Sequence, residues 1–212
     1  VSGSGKSTLV FDVLAAASSQ KQNESNPVFG IEQFDQIITI EQDAINRMKR
    51  SNVATYSEAY TEIRKIFGGL EEAQSKGLSS KHFSFNTHGG RCENCEGLGY
   101  VTSNMLFFKD IEVTCPVCGG RQFNEEVLSI KYNGYSIKEI LQSSVEEALN
   151  IFDRHPKIKR ILKLLLDVGL GYLELGQSLT TLSGGEGQRL KLAKELINNK
   201  GKHSLYLMDE PT

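Results

Sequence analysis

The four cysteines of this 212-residue chain stand in two pairs, Cys92-x-x-Cys95 and Cys115-x-x-Cys118, each with glycines close behind it (Gly97, Gly99; Gly119, Gly120). Two such turns can close one tetrahedral site in which paired thiolates hold Zn²⁺ at about 2.3 Å, and the gap between the pairs falls in the zinc-ribbon range. This predicts a metal module over 88–122. Between the pairs, Tyr100-Val101-Thr102 and Glu112-Val113-Thr114 suit the two legs of a hairpin with Met105-Leu106-Phe107-Phe108 near its tip. Two disulfides could use the same residues, but nucleotide-binding patterns elsewhere argue for a reducing cytosol, where this spacing favours metal. A redox dithiol needs only one such pair, and no thioredoxin-like pattern surrounds either. His82 and His88 are expected at the surface, since four cysteines already complete a tetrahedron.

Composition matters at two points. A formal charge of -2 means that a nucleic-acid partner would have to be met by a local basic surface, not by the chain as a whole. No apolar run approaches the roughly 20 residues of a membrane span, because Lys163 interrupts the greasiest stretch, Ile161 to Leu166. With 39% hydrophobic and 24% charged residues the chain has the makeup of an ordinary globular protein.

Ser2-Gly3-Ser4-Gly5-Lys6-Ser7-Thr8 reads as the end of a phosphate-binding loop. Small residues let backbone N–H groups wrap phosphates, Lys6 reaches the β and γ oxygens, and the Ser7 hydroxyl can bind Mg²⁺. A helix is predicted over 6–17, with Leu9, Val10, Val13 and Leu14 buried and its positive end toward the anion. Gln36 to Ile40 is a β-branched run that would deliver Gln42 to a strand end, where open sheets collect ligands. A compact basic cluster follows, Arg47-Met48-Lys49-Arg50-Ser51-Asn52.

The middle of the chain reads as mixed, then helical. Ser57 to Phe67 is predicted as a helix capped by Ser57, Lys81 to Asn86 as a strand leading into the metal module, and Val127 to Tyr132 as another strand. Asn133-Gly134 is a type I′ turn signal. Ser136-x-x-Glu139 and Ser144-x-x-Glu147 are capping boxes opening two short helices, and a third is expected from Ile158 to Val168, ended by Gly169. Leu182-Ser183-Gly184-Gly185-Glu186-Gly187-Gln188-Arg189 then opens a helix, and Ser183 with two glycines offers a second anion cradle. Ser204 to Met208 reads as a buried strand running into Asp209-Glu210, which places one carboxylate for Mg²⁺ and one for a water.

On these residues the chain resembles the ATP-binding cassette ATPases, with Leu182 to Gln188 similar to their signature motif. The Cys₄ insertion between the phosphate loop and the signature narrows the likeness to the UvrA family, the damage-recognition subunits of the bacterial excinuclease, and to its C-terminal cassette. Further matching stretches are Arg50-Ser51-Asn52, Ala54-Thr55-Tyr56, Phe83-Ser84-Phe85-Asn86, Gly89-Gly90-Arg91-Cys92, Asp167-Val168-Gly169-Leu170 and Leu175-Gly176-Gln177. The resemblance implies an α/β fold: a P-loop core at 1–45 and 183–212, and an inserted, largely helical signature and DNA-facing subdomain at 46–182 that carries the Cys₄ hairpin.

It further implies ATP and Mg²⁺ at Ser2 to Thr8, Gln42 as the loop glutamine, Asp209 as the second Mg²⁺ anchor and Glu210 as the group that polarises the attacking water. Ser183, Gly184, Gly185 and Gln188 would cap ATP held by another cassette. Lys49, Arg50, Arg91, Lys109 and Arg121 would face damaged double-stranded DNA. A UvrB-like subunit, a second cassette of the same polypeptide, a homodimer partner and a cytoplasmic location also follow from the resemblance. The chain departs from the family pattern at Met48-Lys49, at Val53 in place of proline, at His88 in place of arginine and at Gly187 in place of alanine. Alternatives are a UvrA-like paralogue of drug self-resistance and a transporter motor cassette. Val1 falls inside a loop pattern and Thr212 just past an acidic strand end, so the sequence is expected to be a fragment, inactive in hydrolysis by itself.

Overall fold

The computed structural model describes Gly5, Thr8, Leu9, Leu14 and residues 29–40, 50–103, 111–199 and 201–208. The chain divides into two compact units, one formed by Val1–Arg47 with Leu182–Thr212 and the other by Met48–Thr181.

In the first unit, strand β1 (Gln36–Ile40) is β-branched at Ile37, Ile38, Thr39 and Ile40, residues that fit a pleated surface. In the second unit, α1 (Val53–Tyr56), α2 (Ala59–Gly69) and α3 (Glu71–Ser75) lead to a hairpin, β2 (Tyr100–Ser103) and β3 (Ile111–Thr114). Four helices follow: α4 (Glu125–Ser129), α5 (Ile137–Gln142), α6 (Val145–Ile151) and α7 (Pro156–Asp167). The chain then re-enters the first unit with α8 (Gly184–Asn198) and β4 (Ser204–Met208). β1 and β4 pair in parallel, from Gln36 opposite Ser204 to Ile40 opposite Met208. Parallel strands need a long crossover, and here the whole second unit lies within it. β4, expected to be buried, is mostly half-buried; of its residues only Leu207 is buried. Apolar sequence gives a strand its capacity for burial, while its neighbours decide how much is covered. Leu9, likewise expected inside, is 56% exposed.

The core of the second unit is aromatic at its centre. Phe67, Phe83, Phe123 and Phe152 are fully buried, with Phe67 packed on Phe83 at 5.3 Å between ring centroids and Tyr132 stacked on Phe152 at 5.3 Å. α2 buries Ala59, Tyr60, Ile63 and Phe67, the stripe expected of an amphipathic helix. Its N-cap is Glu58 at φ 68°, not Ser57, because Asn52 and Thr55 form a capping box that starts the separate turn α1 and leaves Ser57 at its end.

Two predicted strands are absent. Residues 81–86 run through successive turns, and Val127 falls in α4, capped by the Asn124 side chain. Alternation in so short a run records which side chains are buried; it does not fix the backbone. The Asn133-Gly134 turn forms with both residues at positive φ, 48° and 85°, closed by reciprocal bonds between Tyr132 and Tyr135. Both predicted capping boxes, Ser136 with Glu139 and Ser144 with Glu147, open α5 and α6 as expected.

Candidate functional site

The cysteine pairs sit on two knuckles of the same construction. In the first, the amides of Gly97 and Leu98 donate to the carbonyls of Cys92 and Cys95 at 3.0 and 2.9 Å. In the second, the amides of Gly119 and Arg121 donate to those of Cys115 and Cys118 at 2.8 and 3.0 Å. Cys115 N–H donates to Gly99 O at 2.9 Å and Cys92 N–H to Gln122 O at 2.8 Å, which ties the knuckles to one another. β2 and β3 rise from this base as the predicted hairpin, with Val101 opposite Val113. Its tip, including Met105 to Phe108, lies outside the described residues.

The four sulfurs lie within 4.8 Å of one another and all four cysteines are buried and free. Cys92 Sγ is 3.9 Å from Cys115 Sγ, and Cys95 Sγ is 3.7 Å from Cys118 Sγ. A tetrahedron with metal–sulfur bonds of about 2.3 Å has edges of roughly 3.8 Å, so the donor set and its spacing fit Zn²⁺. Gly99 N–H and the Asn94 side-chain amide donate to the sulfurs of Cys95 and Cys115 at 3.2 and 3.3 Å, as outer groups that orient thiolate ligands do. Burial pushes Cys95 up to about 12, while the Cys118 backbone amide and its neighbours bring Cys115 down to about 6.

The basic residues assigned to DNA are not equivalent. Arg91 is buried, 7% exposed, and its guanidinium is held by Glu93 Oε2 at 3.1 Å and lies 3.2 Å from His88 Nε2. Arg91, expected at DNA phosphates, is here part of the knuckle packing. His88 is exposed, as expected, and lies 2.9 Å from Glu93 Oε2. Arg121 donates to Cys118 O at 3.0 Å and forms a two-pronged pair with Glu125, so its guanidinium is also committed within the module. Arg50 donates to the carbonyl and the carboxylate of Glu96 at 2.7 and 3.2 Å. Lys49 and Lys109 lie outside the described residues.

Of the residues expected to meet nucleotide, Ser2, Gly3, Ser4, Lys6, Ser7, Gln42, Asp209 and Glu210 lie outside the described residues. Gly5 has φ 79° and its carbonyl accepts from Leu9 N–H at 2.9 Å, an i to i+4 helical bond; Thr8 is exposed. Ser183 is the N-cap of α8, with Gly184 exposed and Gly185 half-buried after it. Ser183 Oγ accepts from Glu186 N–H at 3.3 Å, while Ser183 N–H and O–H donate to Glu186 Oε2 at 2.7 and 2.8 Å. Ser183 and Glu186 thus form a capping box at the start of α8, with the Glu186 carboxylate seated on the Ser183 donors. Gln188, expected at the nucleotide, is buried and donates to Ile40 O at 3.4 Å. Its position on α8, five residues past Ser183, turns it inward toward the end of β1.

The sequence pattern of the family described as "ABC transporter" matches residues 1–212. UvrABC system protein A of Xylella fastidiosa strain Temecula1 is 48% identical over 219 residues, covering 100% of this chain and 23% of that protein. UvrABC system protein A of Staphylococcus aureus strain COL shows the same identity and coverage. Among solved structures, UvrA2 from Deinococcus radiodurans matches with a TM-score of 0.85 at 42% identity, covering 100% of this chain and 26% of that one. The chain thus spans about a quarter of the length of the relatives it matches.

Proposed function

The chain belongs to the ABC transporter family, and we propose that it forms part of a UvrA-like ATPase that engages damaged duplex DNA in nucleotide excision repair. The observation that carries this reading is the Cys₄ hairpin, residues 92–118, inserted between the phosphate-loop and signature segments of the cassette. A transporter motor has no evident use for such a finger. Within the described residues no helix is long and apolar enough to cross a membrane.

Residues 1–47 and 182–212 would form the ATP-binding unit. In it Lys6 grips the β and γ phosphates, Ser7 and Asp209 hold Mg²⁺, Gln42 senses the γ-phosphate side, and Glu210 orients the water. Ser183 to Gly185 would face ATP bound by another cassette, of the same polypeptide or a homodimer partner. Cys92, Cys95, Cys115 and Cys118 would hold Zn²⁺, which supplies a rigid base for the hairpin. Contacts to DNA would come chiefly from phosphates, which position the protein without reading sequence, while damage is sensed through the lower cost of deforming a weakened duplex. A UvrB-like subunit would receive the marked site, in the cytoplasm.

The test uses the full-length protein with a duplex carrying one bulky adduct and its undamaged counterpart, with and without ATP. Tighter, ATP-responsive binding to the damaged duplex is expected, with hydrolysis abolished in Lys6→Ala and Glu210→Gln. Equal affinity for the two duplexes in every nucleotide state would sink the reading.

A further inference from the structure

Arg50 is half-buried and turned onto the turn that follows Cys95. Its Nη1 donates to Glu96 O at 2.7 Å and its Nη2 lies 3.2 Å from Glu96 Oε2. Glu96 directly follows the metal-site residue Cys95 and is held at φ 49°, a conformation costly to a residue with a side chain. The next residue, Gly97, is pressed so closely on Phe85 that an added Cβ would stand 1.8 Å from its carbonyl oxygen. The acceptor that Arg50 uses is therefore fixed in place by the knuckle.

The other end of Arg50 is fixed as well. Ser51 O accepts from Leu179 N–H and Gln177 O accepts from Val53 N–H, both at 3.1 Å, and Asn52 forms a β-bridge with Ser178. The unit spans Met48–Thr181, so these laced segments are the points at which the chain enters and leaves it. Through its bonds to Glu96, Arg50 joins them to the metal knuckle. A cleft of about 400 Å³ opens beside it, with Arg50, Asn52, Leu98, Tyr100, Ser178 and Thr181 among its walls.

We propose that Arg50 is a positioning residue: its guanidinium locks the turn after Cys95 to the paired entry and exit segments, so that displacement of the metal hairpin is carried to both chain crossings. For its DNA arm this rests on the function proposed above, whose regulation it names. The Glu96 side chain is 62% exposed, and pairs of that kind contribute little to folding. The bond to the fixed carbonyl, charge-assisted, is the stronger part. The lock therefore acts on local motion more than on global stability.

The experiment uses the full-length protein as Arg50→Ala, Glu96→Ala and the double variant, with Arg50→Lys as a milder substitution should Arg50→Ala fold poorly. Hydrogen exchange is read at the amides of Gly97 to Gly99 and Ser51 to Val53. Arg50→Ala is expected to speed exchange about tenfold in both segments and leave α7 unchanged. Glu96→Ala, which keeps the carbonyl, should do less, and the double variant no more than Arg50→Ala. In parallel, the DNA response of ATP hydrolysis should fall severalfold in Arg50→Ala, with the salt dependence of DNA binding unaltered. Unchanged exchange, or faster exchange in one segment alone, overturns the lock. An unchanged DNA response overturns the transmission. A salt slope shallower by about 0.9 in Arg50→Ala would make the residue a phosphate contact instead. If the wild type gives no DNA response, the repair reading fails while the exchange measurement still decides the lock.

Discussion

Cys95 and Cys118, which lie 23 positions apart in the chain, bring their sulfurs to 3.7 Å, too far for a disulfide and close to the edge of a metal tetrahedron. One zinc per chain is therefore expected by elemental analysis. Because structural zinc binding of about 10 to 16 kcal/mol is coupled to folding, a strong chelator should melt the hairpin module. Cys118→Ser should do the same. A metal-free protein whose circular dichroism and melting ignore the chelator would count against the site.

Glu139 offers a pH test. Lys131 and the cap groups of Ser136 bring its carboxyl down to about 2, well under the ordinary value for glutamate. A depressed folded-state pKa means stability that is fully present above the unfolded value, about 4.3, and lost as pH falls through about 2. Glu139→Gln should therefore destabilise the protein at pH 6. Urea midpoints of the two proteins should converge between pH 4 and 2, and a gap that stays constant across that window would contradict the assignment.

The knuckle glycines separate two kinds of cost. Gly119 has φ 56° with nothing within 4 Å of an added Cβ, so Gly119→Ala should cost only the left-handed backbone term, about 1 to 2 kcal/mol. Gly97, at φ 81°, adds the clash with Phe85 O. Gly97→Ala should lower the melting temperature by clearly more than Gly119→Ala and weaken zinc retention. Equal shifts in the two would show that the packing against Phe85 is loose.

Tyr60 is buried and donates from Oη to Phe83 O at 2.7 Å. Tyr60→Phe keeps the ring and strands the carbonyl, for an expected loss of about 1 to 3 kcal/mol. Phe67→Ala, which empties the centre of the same core, should cost about 3 to 5 kcal/mol. Denaturant unfolding gives both values, and a neutral Tyr60→Phe would mean that the carbonyl finds another donor.

What was legible in the sequence follows from how local the cause is. The cysteine spacing announced the knuckles and the hairpin, and Ser-x-x-Glu announced the caps of α5 and α6, because each is decided within a few residues. The same Ser-x-x-Glu spacing stands at Ser183 and Glu186, and it closes the same kind of capping box at the start of α8. The strand expected at 81–86, by contrast, does not form. Phe83 and Phe85 are both buried in aromatic contacts with α2 and its neighbours, and that burial mimics the alternation of a strand. The enclosure of Arg91 by Glu93 and the Glu96 carbonyl was illegible, because a basic side chain carries no mark of its partners. Val53, where the family pattern has proline, donates its amide to Gln177 O, a bond that proline lacks the hydrogen to make.

The parallel pairing of Gln36 with Ser204 sets an order of events during synthesis. Residues 48–181 are contiguous, so they can collapse on their own core as soon as they clear the ribosome. β1, made earlier, must wait for β4, whose five residues emerge only after that whole unit has been translated. A stalled or truncated polypeptide lacking β4 would thus retain its metal finger while leaving β1 without this neighbour, its unpaired edge open to aggregation.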